Sequence, residues 1–313
     1  MLHGNQIPQR AAEKSVDLLA TNYRIGGGMK TKSLLCVLLV VFAVGLMSAS
    51  AKAAEFKIII MQDDKGAAEK FQPLLAYLKK KGVDAVLVGA QNYSAAAKMF
   101  TAGEGDAMFS GSGVAGTLII KDLATPVVRP LTKDGHSTYW AVIIAPKGSP
   151  KFTGAADYFS GKRVIFSAVA SAGEFFYHSI PNIKNVKATT NIAASHGVAL
   201  DALARGAADV AVIKNRIWED KGSNYPHLEQ VGEDKGENPD GPLMVAKRAD
   251  QKIVSKISDA LLSLKEDASP EAQAVKDKLG VQGYIKTTKE DFRHTLSLLE
   301  KAGVTTAFDY QYE

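Results

Sequence analysis

The sequence has almost no cysteine: Cys36 is the only one in 313 residues. It lies near the start of an apolar run that begins at Leu34 and ends near Met47. A lone cysteine cannot form an internal disulfide. If this apolar run is a leader that is cleaved off, as argued below, the mature protein also has no thiol nucleophile. We therefore exclude a disulfide framework and a cysteine enzyme.

Histidine clusters and nucleotide-binding patterns are also missing. The six histidines are scattered without the spacing of metal ligands, so we expect no metal site. Gly111, Gly113 and Gly116 fit a dinucleotide fingerprint, but the preceding strand is the third of its half rather than the first. Exported proteins also seldom meet a dinucleotide, so we expect no cofactor.

The only long apolar run has the pattern of a secretory signal peptide. It follows Met29, Lys30 and Lys32, is short for a membrane span, and ends in Ala and Ser. We predict a cleaved signal peptide at residues 29–53 and a periplasmic mature protein. We interpret residues 1–28 as an upstream extension that arises from a start assigned too early.

The excess of positive charge is mostly a property of this leader. Residues 1–53 hold six of the 38 Lys and Arg and two of the 33 Asp and Glu, so 32 basic and 31 acidic residues remain. A nearly neutral mature chain gives no support for nucleic acid as a partner.

A cassette occurs twice, about a hundred residues apart. NYSAAAKMFTAGEGDAMF and SHGVALDALARGAADVAV share a polar first residue, a glycine eleven residues later and an aspartate fourteen residues later. The matching pairs are Asn92 and Ser195, Gly103 and Gly206, and Asp106 and Asp209. The spacing predicts an N-cap, a short helix, a glycine stop, an aspartate turn and a buried strand.

The repeat extends upstream, where KIIIMQDDKGAAE and KRVIFSAVASAGE each run from a strand into a helix start. Two such halves predict two α/β lobes with a ligand cleft at the carboxyl ends of their strands. We place the first lobe at residues 54–140 and 241–313 and the second at 141–240. An apolar strand over 138–145 and another at 243–246 carry the chain between them.

Small residues follow a strand at one position of each half. Ser110, Gly111 and Ser112 precede a helix, and free backbone N–H groups at a helix start bind anions. The matching residues of the second half are Ala170, Ser171, Ala172 and Gly173. An anion cradle and a simple tight turn both fit these residues.

Other candidate ligand contacts lie at predicted element ends. His196 follows the Ser195 cap, where a neutral imidazole donates to an oxyanion, although a surface histidine also fits. Tyr93 and Tyr139 lie near helix or strand ends, with core packing as the alternative. Lys214 follows the strand DVAVI, which would allow a cation near the cleft, although we interpret it as a solvated lysine.

Ser171, His196 and Asp209 would form a hydrolytic triad on paper. The GxSxG elbow is missing around Ser171, and Asp209 belongs to a repeated turn whose twin, Asp106, has no histidine. We therefore predict that the chain is not an enzyme.

Six segments in order carry a resemblance to a known family. They are YSAAAKMFTAGEGDAMFSGS, TYWAVIIAPKGS, GKRVIFSAVASAGEFF, ASHGVALDALARGAADVAVI, GPLMVAKR and LGVQGYIKTTKEDF. Across residues 56 to about 300 the chain resembles the periplasmic solute-binding proteins of phosphate, phosphite and phosphonate ABC importers.

The resemblance implies the type II periplasmic binding protein fold, with two Rossmann-like α/β lobes, a two-strand hinge and a cleft between the lobes. It also implies a monomer that captures a small anion, a phosphonate, phosphite or phosphate-like group, and delivers it to an inner-membrane permease. A ligand-sensing subunit for a receptor or kinase is the alternative, and a hydrolase using Ser171 and His196 is a more remote one.

The family's ligand positions fall on Tyr93, Ser171, His196 and Asp209 of this sequence. An anion beside Asp209 would need a proton on one of the two partners. The family's turn is typically Ser-Thr-Ser-Gly, so Ala170 and Ala172 remove two of three hydroxyl donors.

Overall fold

The computed structural model describes residues 55–61, 66–167 and 171–312. The predicted upstream extension, the predicted signal peptide and Ala170 lie outside the described residues. All described residues belong to one unit of the chain, residues 54–313.

The described strands alternate with helices along most of the chain. The strands are β1 Phe56–Met61, β2 Ala85–Ala90, β3 Ala107–Phe109, β4 Ala124–Thr132, β5 Thr138–Tyr139, β6 Ala141–Pro146, β7 Arg163–Ser167, β8 Thr189–Ala193, β9 Val210–Lys214, β10 Leu228–Glu233, β11 Asn238–Pro239, β12 Leu243–Ala246 and β13 Val281–Lys286. The α-helices are α1 Ala67–Lys80, α2 Tyr93–Thr101, α3 Ser112–Ile120, α4 Ala172–Ser179, α5 His196–Ala204, α6 Asn215–Lys221, α7 Gln251–Ser263, α8 Pro270–Leu279 and α9 Arg293–Lys301. Short 3-10 turns cover Ala156–Phe159, Ile183–Asn185, Gly222–Asn224 and Lys289–Phe292.

Two sheets share one layout. The six-stranded sheet has the order β13-β4-β12-β3-β1-β2, and the five-stranded sheet has the order β10-β6-β9-β7-β8. In each, three parallel strands are followed by one antiparallel strand, which is β12 in the first sheet and β6 in the second. The predicted α/β fold class, with two Rossmann-like lobes, is confirmed.

A third, two-stranded sheet joins the lobes. β5 and β11 pair antiparallel, with Asn238 opposite Tyr139, and each lies on a pass of the chain between the large sheets. The strand predicted over 138–145 is split at Trp140, whose N–H bonds the Asn215 side chain at 3.1 Å instead of continuing a ladder. The predicted two-strand hinge is therefore present, but it is shorter than the apolar run suggested.

Both cassettes fold as the spacing predicts. The Asn92 side chain accepts from the Ala95 N–H at 2.9 Å, and Ser195 accepts from Val198 at 3.3 Å. α2 and α5 each have nine residues. Gly103 and Gly206 then take φ values of 87° and 75°, a region that favours glycine because it has no Cβ.

The helices after β12 were all expected to pack on the first lobe, and two of them do. α7 and α8 place Ile257, Leu261 and Val275 in the first lobe's core. α9 differs, since its Leu298 and Leu299 join the core of the second lobe. Leu299 also approaches Gly116 of α3, where an added Cβ would lie 2.5 Å from its Cδ1. α9 therefore contacts both lobes.

Candidate functional site

The carboxyl ends of the parallel strands carry most of the candidate site residues. Tyr93 and Ser110 follow β2 and β3 of the first sheet, and Ser171 and His196 follow β7 and β8 of the second. Because ligands of open α/β sheets bind at this edge, these positions define the candidate site.

The hinge brings the two edges together. The Tyr139 hydroxyl lies 2.5 Å from the Ser112 Oγ at the start of α3, and both side chains are buried. The Lys214 ammonium, at the end of β9, lies 4.7 Å from the centre of the Tyr139 ring. Tyr139 thus touches the carboxyl edge of each sheet, and burial raises its pKa so that the phenol stays a neutral donor.

The first-lobe edge combines a glycine turn with an aromatic ring. Gly111 caps α3 in extended backbone, and a Cβ added there would lie 3.7 Å from the Tyr93 ring. Ser110 is buried and donates its hydroxyl to the Gly111 carbonyl at 2.8 Å. Tyr93 therefore lies beside the Gly111 turn at the start of α3.

The second-lobe turn is a helix cap with tight packing behind it. The Ser171 Oγ accepts from the Glu174 N–H at 3.4 Å and donates to the Ser167 carbonyl at 2.7 Å. A Cβ on Gly173 would overlap the Val212 carbonyl of β9, so this glycine allows α4 to lie against the sheet. Ala172 is buried within α4.

His196 uses both ring nitrogens within the protein. Its Nδ1 accepts from the Lys214 N–H at 3.3 Å, and its Nε2 lies 3.1 Å from the Ser167 Oγ. Burial, and secondly the charge of Lys214, lowers the pKa of His196 to about 3. The imidazole is therefore neutral, and with Nδ1 accepting, the proton is on Nε2 and is donated to Ser167. From the sequence we predicted that the His196 imidazole donates directly to a ligand oxyanion.

Asp209 lies at the other edge of the second sheet. Its Oδ2 accepts from the Arg163 backbone N–H at 2.8 Å, and its Oδ1 accepts from the Arg163 guanidinium at 2.7 Å. Arg163 begins β7, whereas His196 bonds Ser167 at the end of that strand. A strand rises about 3.3 Å per residue, so roughly 13 Å separate Asp209 from His196. The structure does not bring Asp209 into the candidate site, and the hydrolytic triad is not assembled.

The sequence analysis did not identify Ser167 and Asp240 as residues of this edge, and it did not assign Lys214 a role in the site. Ser167 is buried at the end of β7 and contacts both His196 and Ser171. Lys214, predicted to be solvated, pairs with Asp240 through contacts of 2.8 and 2.6 Å. The one available signal was position, because both Ser167 and Lys214 end a predicted strand.

No metal or membrane site is found in the part of the chain that the structure describes. Groups of three or more metal-ligating side chains are absent from it. Within the same residues, helices long and apolar enough to cross a bilayer are likewise absent.

Comparison with known proteins gives a family and a fold. Residues 56–292 match the family model described as ABC transporter, phosphonate, periplasmic substrate-binding protein. No curated protein matched the sequence.

Solved structures similar to this chain come from several bacteria. The PhnD1 protein of Prochlorococcus marinus in complex with methylphosphonate is 14% identical, with a TM-score of 0.64 over 79% of this chain and 98% of that one. A binding protein component of an ABC phosphonate transporter from Pseudomonas aeruginosa is 17% identical, with a TM-score of 0.62 over 79% of this chain and 86% of that one. A Xanthomonas citri protein bound to ATP is 15% identical, with a TM-score of 0.67 over 80% of this chain and 98% of that one.

At these identities the solved structures establish the type II periplasmic binding protein fold, and the family model covers most of the chain. The chain belongs to the family of periplasmic substrate-binding proteins of phosphonate ABC transporters.

Proposed function

We propose that this protein captures a small oxyanion, a phosphonate, phosphite or phosphate-like group, in the cleft between its lobes and delivers it to an inner-membrane ABC permease. The observation that carries the proposal is that Tyr139 at the hinge contacts Ser112 at the start of α3 and lies beside Lys214 at the end of β9, so that the carboxyl edges of the two sheets lie together. Helix starts present free N–H groups and a positive dipole end, which favour anions.

The donors at this edge suit a ligand that is released again. Tyr93 carries a hydroxyl at this edge, and the Ser167 hydroxyl is oriented by the neutral His196. A neutral hydrogen bond contributes about 1 kcal/mol, and one to a charged ligand about 1.5–3 kcal/mol. A few such bonds suffice for capture without covalent chemistry, so the protein acts as a binding protein and not as an enzyme.

The comparisons support a phosphorus-containing ligand. The similar Prochlorococcus marinus protein holds methylphosphonate, and the similar Xanthomonas citri protein has been seen with ATP. Here Ala172, next to Ser171, lacks a hydroxyl that the family's turn usually provides. We therefore propose that the ligand relies more on the Ser167 hydroxyl and on the N–H groups at the start of α4, which Ser171 holds in place as the cap.

Cleavage of the predicted signal peptide would leave a monomer in the periplasm. The alternative is that the protein is a ligand-sensing subunit for a receptor or kinase, since a histidine kinase sensor domain has a related fold, with a TM-score of 0.50 at 16% identity. Genes for an ATPase and a permease beside this one would support import, and a kinase gene in their place would support sensing.

A thermal-shift screen of the protein starting at Ala54 tests the proposal. Phosphate, phosphite, methylphosphonate, sulfonates and carboxylates are compared, since a ligand at a hundred times its Kd adds about 2.7 kcal/mol of stability. We expect a phosphorus oxyanion to raise Tm, and Ser171→Ala and Ser167→Ala to weaken its binding by about fivefold to tenfold each.

Ser255→Ala on the exposed side of α7 is the matched control and should bind as the wild type does. A folded wild-type protein that is stabilised by none of these anions would contradict the proposal. Turnover of an ester that stops in Ser171→Ala would favour the hydrolase alternative instead.

A further inference from the structure

Lys214 is a cation at the proposed binding edge that the site described above does not use. It ends β9, and its backbone N–H is bonded to His196. Its side chain leaves the sheet towards the hinge, where the ammonium lies over the Tyr139 ring. About a fifth of the side chain, 21%, is exposed.

Asp240 holds this ammonium in place. The two carboxylate oxygens lie 2.8 and 2.6 Å from the Nζ, and the Asp240 backbone N–H is bonded to Ser137 on the other pass of the hinge. A lysine ammonium has three N–H donors and no acceptor. Two contacts to one carboxylate leave a third N–H that the pair does not require.

Lys214 lies near residues of both lobes. On one side lies the Tyr139 ring, whose hydroxyl bonds Ser112 at the start of α3. The backbone N–H of Lys214 is donated to Nδ1 of His196, whose Nε2 bonds Ser167. Lys214 therefore contacts the first lobe's edge through Tyr139 and the second lobe's edge through His196.

The charge of Lys214 is felt at this edge despite Asp240. It contributes to the lowered pKa of His196, after burial, and Asp240 in turn contributes to the raised pKa of Tyr139. The Lys214–Asp240 pair therefore acts electrostatically on both His196 and Tyr139 at this edge.

We infer that Lys214 is a specificity-determining residue that binds the oxyanion directly, with Asp240 as the positioning residue that aims it. The inference rests on the proposed function and adds to it a charge preference. A point cation favours the doubly charged form of a phosphoryl group over the singly charged form, whereas neutral hydroxyls discriminate less. The ligand class is thus a small dianionic phosphorus oxyanion.

Calorimetric titration with methylphosphonate and with inorganic phosphate tests this. Lys214→Met removes the charge and keeps the chain length, Lys214→Arg keeps the charge, and Lys80→Met removes a lysine from an exposed ion pair with Glu271. We expect Lys214→Met to weaken binding by about 10-fold to 100-fold, as for a lost hydrogen bond to a charged group. Lys214→Arg should lose less, and Lys80→Met should match the wild type.

The pH dependence gives a second readout. Wild-type affinity should rise as the ligand loses its second proton, and this rise should be much smaller in Lys214→Met. A Lys214→Met protein that is folded and binds within about twofold of the wild type, with the same pH profile, would overturn the inference while leaving the proposed function intact.

A second comparison covers the case in which Lys214→Met leaves Asp240 unpaired and does not fold. Lys214→Met/Asp240→Asn is then compared with Asp240→Asn alone, and the same loss of affinity is expected. Equal affinities of these two proteins would overturn the inference. A wild-type protein that binds neither anion would instead contradict the proposed function, and the inference with it.

Discussion

The two lobes use the same local structure for different chemistry. Each cassette has a capped helix of nine residues and an aspartate that bonds the backbone of a neighbouring strand. The first helical residue differs, however: it is Tyr93 in the first lobe and His196 in the second. The repeated cap, glycine and aspartate maintain the local fold, whereas the first helical residue, at the carboxyl edge of the sheet, differs.

The strand ends extend this difference. Ser110 follows β3 in the first lobe, whereas β9 of the second lobe ends in Lys214. The first lobe therefore offers neutral hydroxyls, and the second adds an imidazole and an ammonium. Under the proposed function, this asymmetry would orient a small anion between two similar lobes.

The largest expected effect comes from the glycines that let a helix approach its neighbour. Gly173→Ala would place its Cβ against the backbone carbonyl of Val212, which cannot move without displacing β9. Gly116→Ala meets the Leu299 side chain at 2.5 Å, which can change rotamer. We expect about 3 kcal/mol or more of destabilisation for Gly173→Ala and about 1–2 kcal/mol for Gly116→Ala, measured by denaturant unfolding.

Equal losses of stability in these two variants would contradict the view that backbone contact makes the second lobe the more sensitive. Gly135→Ala is a control for the glycine change itself, since its added Cβ meets nothing within 4 Å, although its φ of 86° carries a strain penalty of its own.

The next largest effect is the loss of stability in acid, which we expect to come from the second lobe and not from the first. Burial lowers the pKa of His196 from 6.5 to about 3, so the unfolded chain binds a proton below pH 6.5 that the folded protein does not bind until about pH 3. The free energy of unfolding is therefore complete above pH 6.5 and decreases as the pH falls. At about pH 5 we expect the loss from this residue to be on the order of 2 kcal/mol.

His196→Asn should flatten this part of the stability profile, and Tyr93→Phe in the matching position should leave it unchanged. Chemical unfolding across the acidic range measures both. Part of the decrease should remain in His196→Asn, because burial also lowers the pKa of His178 to about 4. A profile that is identical in wild type and His196→Asn would contradict the buried neutral imidazole.

The smallest expected effect concerns the two cassette aspartates. Asp106 accepts from the Lys57 N–H at 2.9 Å, whereas Asp209 accepts from both the backbone and the guanidinium of Arg163. We expect Asp209→Ala to cost about 1–2 kcal/mol and Asp106→Ala about 1 kcal/mol, because the Arg163 contacts are partly exposed.

Neither change should alter affinity for a bound oxyanion, since both aspartates lie at the amino ends of the strands. A selective loss of ligand affinity in Asp209→Ala, with stability preserved, would instead support the sequence-based assignment of Asp209 to the site.

Much of the fold could be predicted because its signals are local. The caps Asn92 and Ser195, the glycine stops and the alternation of strands and helices each depend on a few neighbouring residues. The sequence also predicted the strand Leu243–Ala246 with the observed bounds. The break at Trp140 was not predictable, since it depends on an asparagine 75 residues away.

The candidate site was predicted in part for the same reason. Ser112, Ser171 and His196 follow strands, and that position alone directs them to the carboxyl edge. The function of Asp209 was misplaced by the family pattern, because its partner Arg163 is 46 residues distant. No short-range signal distinguishes an aspartate that faces a ligand from one that faces an arginine.

The sequence by itself determined the two-lobed α/β plan, the order of its elements and the edge at which a ligand would bind, because caps, turns and strand ends are set within a few residues. Only the tertiary structure decided how the polar side chains pair: His196 with Ser167, Lys214 with Asp240, and Tyr139 with Ser112. These partners are 26 to 29 residues apart in the chain. They meet only because strand pairing and the hinge bring separate elements to one edge.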